Sequence, residues 1–491
     1  MLDKKTMVAL DCGNSSFRIV IGEYKDGKLG TKVVKQIPNS IIRLGDYEYW
    51  DILYILNEFK SVLKEIVISG TKIDSIGICT WGIDFALFDP EGNMLSNALC
   101  YRNPIGKEYL SRLNEEDRRK MFLNTGILCD KINSVFMLAG IKEKFNGVFA
   151  AADKLLMIPD ILNYFLTGKM VNEPSEFSTT QIMDVRTKEI SGEICKMYGL
   201  DKGLFSEIGK HGEKIGDVRD YILQEIGADY SIPVVCVPSH DTASAIAAIP
   251  AKEKSFGFIS CGTWSLIGTE LDEPIINDSI ADAGLTNEVG AFEKITLLKN
   301  SAGMFIANML QKEYRLACGR NVSWEEISKM TEACAAKTVF DLNDIRFFNP
   351  ESMSREIWEY LIETKQVSGE NVMWDVLFRA FYESLACEYA VTINNIESIT
   401  GNSFEKIYIV GGGTASKTLL NLVAKHTGKT VVACYGESTS MGNIAVQLKY
   451  FYRDIDLYRI REIIAASYKT EELSCRKEDW EILARFQELN H

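Results

Sequence analysis

The sequence predicts an α/β protein of two lobes, and three observations support this fold class. The chain has 491 residues, which is too long for one ordinary hydrophobic core and fits two domains of roughly 200 to 250 residues each. Apolar runs typical of strands alternate with segments of helical periodicity. Residues 10–16 resemble residues 259–265, about half a chain later. An offset of that size indicates a core duplicated in two lobes.

The charge balance argues against polyanionic partners. The chain carries 54 basic and 68 acidic residues, for a formal net charge of −14. Such a surface repels nucleic-acid backbones and anionic membranes, so neither is an expected partner. ATP is also an anion, but backbone N–H groups, helix N-termini and a bound Mg²⁺ can hold it locally. A nucleotide site therefore remains compatible with the acidic composition.

The cysteines and the apolar runs favour a cytoplasmic location. Twelve cysteines are scattered along the chain without a C-x-x-C pair, which is typical of reduced thiols used as small hydrophobic residues. No uninterrupted apolar run approaches the length of a membrane span, and the N-terminus has only a very short apolar stretch.

In the first lobe, residues 7–10 and 17–24 are apolar and rich in β-branched residues, so they predict a hairpin with a small, polar tip. Residues 76–80 and 84–89 repeat the strand pattern. Apolar residues at helical spacing predict helices over 50–67 and over 154–166. We expect these helices to cover a sheet.

The second lobe should begin after residue 250, where a polar stretch precedes the second hairpin. We therefore predict domains at 1–250 and 251–491. Residues 406–434 read as a strand, a glycine turn, a helix and a second strand. The charged segment after residue 448 predicts surface helices.

Two hairpin tips could hold phosphates. Asp11 lies at a strand end before a run of small residues, and a carboxylate at this place could hold Mg²⁺ through waters. Alone, this motif is equally typical of an ordinary turn. Residues 261–263 offer a second small-residue tip from the other half of the chain. Two such tips facing each other could clamp one polyphosphate.

The segment Gly411-Gly412-Gly413 lets the backbone approach a ligand closely, because no side chain intervenes. It resembles a dinucleotide-binding fingerprint, but Ser416 stands where the third glycine of G-x-G-x-x-G is required. A dehydrogenase is therefore disfavoured. A P-loop kinase is disfavoured too, since no G-x-x-x-x-G-K-[ST] motif is present.

Asp241 follows an apolar strand at 233–237 and precedes an alanine-rich helix. One interpretation is a helix N-cap formed by Ser239 or Asp241. The other is a catalytic carboxylate, because strand ends in α/β folds point toward bound ligands. His240 beside it is either a structural histidine or a sugar contact. Trp81 and Gly82 offer a ring and a bare backbone for a sugar, although tryptophan in a strand usually belongs to the core.

Taken in chain order, these motifs resemble the FGGY family of carbohydrate kinases, and within it the rhamnulokinase group. The matching segments are residues 11–18, 80–85, 101–102, 155–160, 166–169, 239–245, 262–266, 286–288, 299–300, 409–413 and 437–447. The resemblance implies two lobes, each with an actin- and hexokinase-like (ribonuclease H-like) ATPase core, and a cleft between them.

The resemblance also implies the cofactors ATP and Mg²⁺ and a small-molecule sugar substrate, with a monomer or homodimer as the assembly. The implied ATP contacts are Asn14, Ser15, Ser16, Phe17, Arg18, Thr263, Asn308, Gly411 and Gly412. The implied sugar contacts are Gly82, His240, Asp241, Thr242 and Asn300. Asp11 would position Mg²⁺. Asp241 would accept the proton of the sugar's primary hydroxyl as that oxygen attacks the γ-phosphorus.

Four residues depart from the pattern of the group: Phe17, Cys79, Asn103 and Asn308. The expected reaction is phosphorylation of L-rhamnulose at O1, and a kinase for a related ketose such as L-fuculose or L-xylulose is an alternative. A sugar sensor without transferase activity is a third hypothesis. It would be expected to lack Asp11 or Asp241, and both are present.

Overall fold

A computed structural model of the protein describes residues 4–348, 350–475 and 480–489. The described residues form two compact units. The first takes its residues from Met1–Lys252, Leu271–Leu297 and Glu437–Ser467, and the second from Glu253–Glu270, Leu298–Gly436 and Tyr468–His491. The sequence predicts one boundary at residue 250, whereas the chain returns twice to the first unit. A sugar-binding role for residues 1–250 and a nucleotide-binding role for residues 251–491 stay predictions.

Strands and helices alternate along the described residues. The strands are β1 (Lys5–Cys12), β2 (Ser16–Lys25), β3 (Lys28–Pro38), β4 (Ile41–Leu44), β5 (Tyr47–Trp50), β6 (Ser75–Thr80), β7 (Phe85–Phe88), β8 (Lys154–Met157), β9 (Met183–Asp184), β10 (Glu189–Ile190), β11 (Lys214–Asp217), β12 (Pro233–Val235), β13 (Gly257–Cys261), β14 (Trp264–Leu271), β15 (Thr286–Val289), β16 (Ile295–Ala302), β17 (Lys406–Val410), β18 (Thr430–Cys434) and β19 (Thr470–Leu473).

The helices cover these strands and extend the second unit. They are α1 (Ile52–Ile68), α2 (Ile105–Leu110), α3 (Glu115–Thr125), α4 (Ser134–Lys144), α5 (Asn146–Ala150), α6 (Ile158–Thr167), α7 (Pro174–Ser178), α8 (Gly192–Tyr198), α9 (Asp220–Ile226), α10 (Asp241–Ala247), α11 (Asp278–Asp282), α12 (Phe305–Cys318), α13 (Trp324–Ala333), α14 (Met353–Glu363), α15 (Trp374–Thr400), α16 (Lys417–Thr427), α17 (Ser438–Phe451), α18 (Leu457–Ser467) and α19 (Trp480–Leu489). In the described part of the chain, no helix is long and apolar enough to cross a membrane.

The first unit is organised around a sheet with the strand order β11-β12-β6-β1-β2-β3. β1 pairs with β2 in antiparallel and with β6 in parallel orientation. Its side chains from Met7 to Leu10 are fully buried, as expected for a central strand covered on both faces. The predicted first hairpin is confirmed.

The strands of the second unit follow the same plan, in the order β16-β14-β13-β17-β18-β19. β13 pairs with β14 in antiparallel and with β17 in parallel orientation, just as β1 pairs with its neighbours. In the first sheet β12 is parallel to β6, and β11 is antiparallel to β12. In the second sheet β18 is parallel to β17, and β19 is antiparallel to β18. The short sequence repeat thus marks the first hairpin of two sheets in which the strands from β2 to β11 and from β14 to β19 follow the same order and orientation.

The predicted helix over 50–67 is confirmed as α1. The Asp51 side chain caps its N-terminus by accepting a hydrogen bond from the Tyr54 N–H. The helix predicted over 154–166 is wrong in its first four residues, which form β8. This segment pairs with β7, so a tertiary contact overrides helical periodicity. α6 begins afterwards with Pro159 in its first turn, a position that tolerates proline.

α17 packs closely on β1, β6 and α10 in the first unit. Glycines make this approach possible: a Cβ atom on Gly77 would collide with the Asn443 side chain, and one on Gly442 would collide with the Ser244 carbonyl. Side chains from α17 therefore reach the strand ends at which the predicted site residues lie.

Candidate active site

Asp11 sits near the end of β1 with its side chain almost fully buried. The Ser440 hydroxyl donates a hydrogen bond to Asp11 Oδ2 over 2.6 Å, and Arg18 Nε lies 4.0 Å from the same oxygen. Burial raises the pKa of Asp11 to about 6, although Arg18 and Ser440 oppose the rise and Asp241 adds to it. The carboxylate is thus fixed in place by two partners and ionises near neutral pH.

The turn after β1 exposes small polar groups. Ser15 is exposed at the tip, and the Gly13 N–H donates to the Ser16 carbonyl to close the turn. Phe17 is fully buried against Tyr54, so its side chain belongs to the core and any ligand contact there has to come from its backbone. Arg18 is partly exposed and forms an ion pair with Glu437.

The segment after β6 shows what Trp81 does. Its ring is 4% exposed and packs 4.2 Å from the Trp50 ring, so the core interpretation is confirmed. Both indole N–H groups donate to Asp84 Oδ2, over 2.6 Å from Trp50 and 2.9 Å from Trp81. Burial raises the pKa of Asp84 to about 7 despite these two hydrogen bonds.

Gly82 lies beside His240. A Cβ atom at Gly82 would stand 3.3 Å from His240 Nε2 and 3.2 Å from the Thr179 methyl group, closer than most such contacts allow. The absence of a side chain therefore leaves room next to the imidazole.

Asp241 is the first residue of α10, and its side chain is 36% exposed. The N-cap interpretation is wrong: His240 occupies that position and makes no side-chain cap bond, while the Ser239 hydroxyl donates to the carbonyls of Ile78 and Val237. Thr242 Oγ1 donates to Asp241 Oδ1 over 3.2 Å. Desolvation raises the pKa of Asp241, and His240 and Thr242 oppose the rise.

His240 connects several elements of the first unit. Its backbone bridges to Thr80, and its N–H donates to the Ser175 hydroxyl over 3.1 Å. Its ring nitrogens face two carboxylates: Nδ1 lies 3.2 Å from Glu288 Oε2, and Nε2 lies 3.6 Å from Asp241 Oδ1.

In the second unit, Thr263 is exposed at the tip between β13 and β14. The Met304 N–H donates to the Gly262 carbonyl over 2.9 Å, which brings the start of α12 to this tip. Gly411 has a φ of 84°, and a Cβ atom there would stand 2.8 Å from the Cys261 carbonyl oxygen. The hairpin tip, the glycine turn and the start of α12 therefore adjoin one another.

Two further predicted residues also lie in this unit. Asn308 is exposed in the first turn of α12, and Asn300 is exposed on β16. The neighbouring Lys299 forms an ion pair over 2.8 Å with the buried carboxylate of Glu388, which anchors this part of β16.

Comparison with known proteins identifies the family. The N-terminal domain model of the FGGY family of carbohydrate kinases matches residues 6–247, and the C-terminal domain model matches residues 257–450. The chain belongs to this family. The kinase thus has the two-domain FGGY fold, and it phosphorylates a sugar with ATP.

Its curated relatives include two rhamnulokinases. The one from Oceanobacillus iheyensis is 34% identical over 465 residues, covering 94% of this chain and 96% of that protein. The one from Bacteroides thetaiotaomicron is 34% identical over 469 residues, covering 94% of each chain.

Solved structures show the same fold at low sequence identity. A gluconate kinase from Lactobacillus acidophilus superposes with a TM-score of 0.79 at 16% identity, covering 99% of this chain and 96% of that chain. Plasmodium falciparum glycerol kinase with ADP gives a TM-score of 0.78 at 15% identity, covering 99% and 97%.

Three residues of the kinase were missed as site residues. Ser440 holds Asp11, Glu437 pairs with Arg18, and Glu288 faces His240. All three lie in segments that resemble the family, but a matching segment does not tell which neighbour a side chain will meet. Their roles follow from tertiary contacts alone.

Two of the departures from the family pattern have structural explanations. Cys79 pairs with Asp11 across the strands, and its sulfur accepts a hydrogen bond from Asn443 Nδ2 over 3.3 Å. Asn103 is buried and exchanges two hydrogen bonds with the backbone of Glu48. Both side chains are therefore engaged within the protein.

The groups around Asp11 fit a magnesium ion. Mg²⁺ prefers oxygen ligands and usually keeps several waters, with one or two carboxylates and substrate phosphates completing its shell. In the described residues, no group of three or more His, Cys, Asp and Glu side chains could enclose a metal. Asp11 would hold the ion through its carboxylate.

Proposed function

We propose that this kinase transfers the γ-phosphoryl group of ATP to O1 of L-rhamnulose, with Asp241 as the proton acceptor. The observation that carries the proposal is the position of Asp241. Its carboxylate is partly exposed at the start of α10, with His240 on one side and Gly82 close to that histidine. The substrate is suggested by relatives named rhamnulokinase that match nearly the whole chain.

The Asp241 carboxylate suits the proton transfer. The O–H bond of the primary hydroxyl breaks toward Asp241 as its oxygen bonds to the γ-phosphorus, and the bond to the bridging oxygen breaks to leave ADP. This reaction needs alignment and charge neutralisation more than a strong base. Desolvation raises the pKa of Asp241, while the neighbouring His240 opposes this rise and favours the ionised carboxylate.

Asp11 is the proposed magnesium ligand. Ser440 and Arg18 fix the carboxylate at the end of β1, next to the exposed turn at Ser15. When bound, Mg²⁺ neutralises charge on the phosphate oxygens. The turn backbone and hydroxyls then offer donors to the same phosphates.

The second unit supplies the proposed nucleotide contacts. Thr263, Asn308 and Gly412 are all exposed where the hairpin tip, the start of α12 and the glycine turn adjoin. Backbone without side chains lets a nucleotide approach closely. Asn300 on β16 is the sugar contact proposed from this unit.

The proposal is tested by measuring ADP release with purified protein, Mg-ATP and a panel of L-rhamnulose, L-fuculose, L-xylulose and L-ribulose. Selective turnover of L-rhamnulose is the expected result. Preference for another ketose would support the kinase activity but assign it a different substrate. A lack of turnover on every sugar, with sugar binding retained, would support the sensor hypothesis instead.

A further inference from the structure

The imidazole of His240 is enclosed by carboxylates on both of its nitrogen sides. Glu288 Oε2, from β15, stands 3.2 Å from Nδ1, and Asp241 Oδ1 stands 3.6 Å from Nε2. A carboxylate can only accept hydrogen bonds. Each ring nitrogen therefore needs its own proton to interact favourably, and a ring with two protons is an imidazolium.

His211, in the same unit, provides a contrast. Its Nε2 lies 2.5 Å from Glu173 Oε1, but its Nδ1 accepts a hydrogen bond from the Phe292 N–H over 3.0 Å. Because Nδ1 accepts, the proton of this ring sits on Nε2 alone. The two histidines thus differ in what faces Nδ1: a backbone donor for His211 and the Glu288 carboxylate for His240.

A second set of contacts fixes where His240 stands. Its N–H donates to Ser175 Oγ, and that hydroxyl donates over 2.7 Å to Glu173 Oε2. The backbone is held from α7, and the ring is held from β15. With the backbone held and Nδ1 facing the Glu288 carboxylate, Nε2 is directed toward Asp241 and the space beside Gly82.

We propose that Glu288 is a positioning residue that keeps His240 as an imidazolium, with its Nε2–H directed at an oxygen of the sugar bound beside Asp241. This inference rests on the proposed function, because it takes the space next to Asp241 as the sugar site. The charged Nε2–H would donate to a hydroxyl oxygen of the substrate and selects sugars that present an acceptor there. Its positive charge also favours the ionised form of Asp241.

The charges around the ring support this assignment. They are Glu288 from β15, Asp241 from α10 and Glu173 at the start of α7, and all three are acidic. Burial alone would lower the pKa of His240, but these carboxylates, Glu288 foremost, raise it to about 9. Removal of the Glu288 charge should leave burial as the dominant influence.

The state of the ring can be measured directly, since the chain has only four histidines. Histidine labelled with ¹³C at Cε1 gives four signals, and the His240→Gln variant assigns one of them. We expect the His240 signal of the wild-type protein to stay in the imidazolium state at pH 7.5 and to titrate near pH 9. In Glu288→Gln the midpoint should fall by about two units or more.

Kinetics with the preferred sugar complete the test. Glu288→Gln should lower kcat/KM for the sugar about 30-fold, a value typical for loss of a charged hydrogen-bond partner, with KM for ATP within about twofold. Glu288→Asp should recover part of the loss. Glu293→Gln is the matched control, because Glu293 is exposed and its carboxylate pairs with Lys188.

Two results would overturn the inference: a wild-type His240 signal that titrates below pH 7, or a folded Glu288→Gln variant with an unchanged signal and kcat/KM. The first needs no variant of Glu288, so it decides even if that variant does not fold. Failure of the proposed function looks different. It would appear as turnover retained in an Asp241→Asn variant, with the His240 signal of the wild-type protein still titrating near pH 9.

Discussion

The two sheets arrange their matching strands in the same order, but they carry different side chains at equivalent strand ends. At the end of the first strand, β1 carries Asp11, whereas β13 has the neutral Ser260 in the matching position of the repeat. The strands parallel to β1 and β13 are β6 and β17. Four residues after β6 ends, the first unit has Asp84. Four residues after β17 ends, the second unit has Thr414, whose hydroxyl donates to the Gly411 carbonyl. The backbone plan is common, and the charges are confined to the first unit at these positions.

This difference suggests that the two units contribute different functional groups to the reaction. Carboxylates such as Asp11 and Asp241 are suited to holding a cation and accepting a proton. Glycines and hydroxyls without charge are suited to close contact with an anionic nucleotide. Substitutions of these carboxylates in the first unit should therefore change turnover and its dependence on pH and metal, while substitutions at the glycine turn of the second unit should change the affinity for ATP.

The largest effect is expected for Asp241→Asn, which removes the proposed proton acceptor and changes little volume. We expect kcat to fall about 1000-fold, within the range for loss of a general base. ATP binding, measured by calorimetry, should remain within about twofold. Near-normal turnover would remove Asp241 from the chemistry.

Asp84→Asn tests the ionisation of this buried carboxyl group through the pH dependence of the free energy of unfolding. The folded-state pKa of about 7 lies above the ordinary value of 3.8, so the folded protein binds this proton more tightly than the unfolded chain. The contribution to stability is complete below about pH 4 and is lost as pH rises through 7, by up to about 4 kcal/mol. Denaturant unfolding of the variant should show a flatter profile over this range, and the same slope in both proteins would contradict the assignment.

Gly411→Ala tests the glycine turn of the second unit as a nucleotide contact. The left-handed backbone and the close Cys261 carbonyl should together cost about 2 to 3 kcal/mol of unfolding free energy and raise KM for ATP several-fold. Gly401→Ala is the control, since Gly401 has a φ of 70° but no atom within 4 Å of a new Cβ. It should lose only about 1 kcal/mol and keep its KM. Equal effects on KM would show that Gly411 is not near the nucleotide.

Asp11→Ala should have the smallest effect of the four, seen in the metal dependence. We expect the Mg²⁺ concentration for half-maximal activity to rise about tenfold. Glu23→Ala on β2 is a suitable control, because its side chain is half-exposed and pairs with Lys4. A magnesium titration that matches the wild type would exclude Asp11 as a metal ligand.

Local signals explain why parts of the fold were predictable. The hairpins, α1 and the strand-turn-helix-strand unit at 406–434 follow from hydrophobic period and turn residues, which act over a few positions. β8 was missed because its strand state depends on β7, about 70 residues earlier. The return of residues 437–467 to the first unit likewise depends on distant packing.

The sequence by itself determined the family, the two sheets and the residue types at the strand ends, because motifs and periodicity are local properties of the chain. Only the tertiary structure decided which partners those residues meet: Ser440 on Asp11, Glu288 on His240, and Trp50 with Trp81 on Asp84. The physical reason is that burial and neighbouring charge set the ionisation of a side chain. Both arise from residues far apart in the sequence.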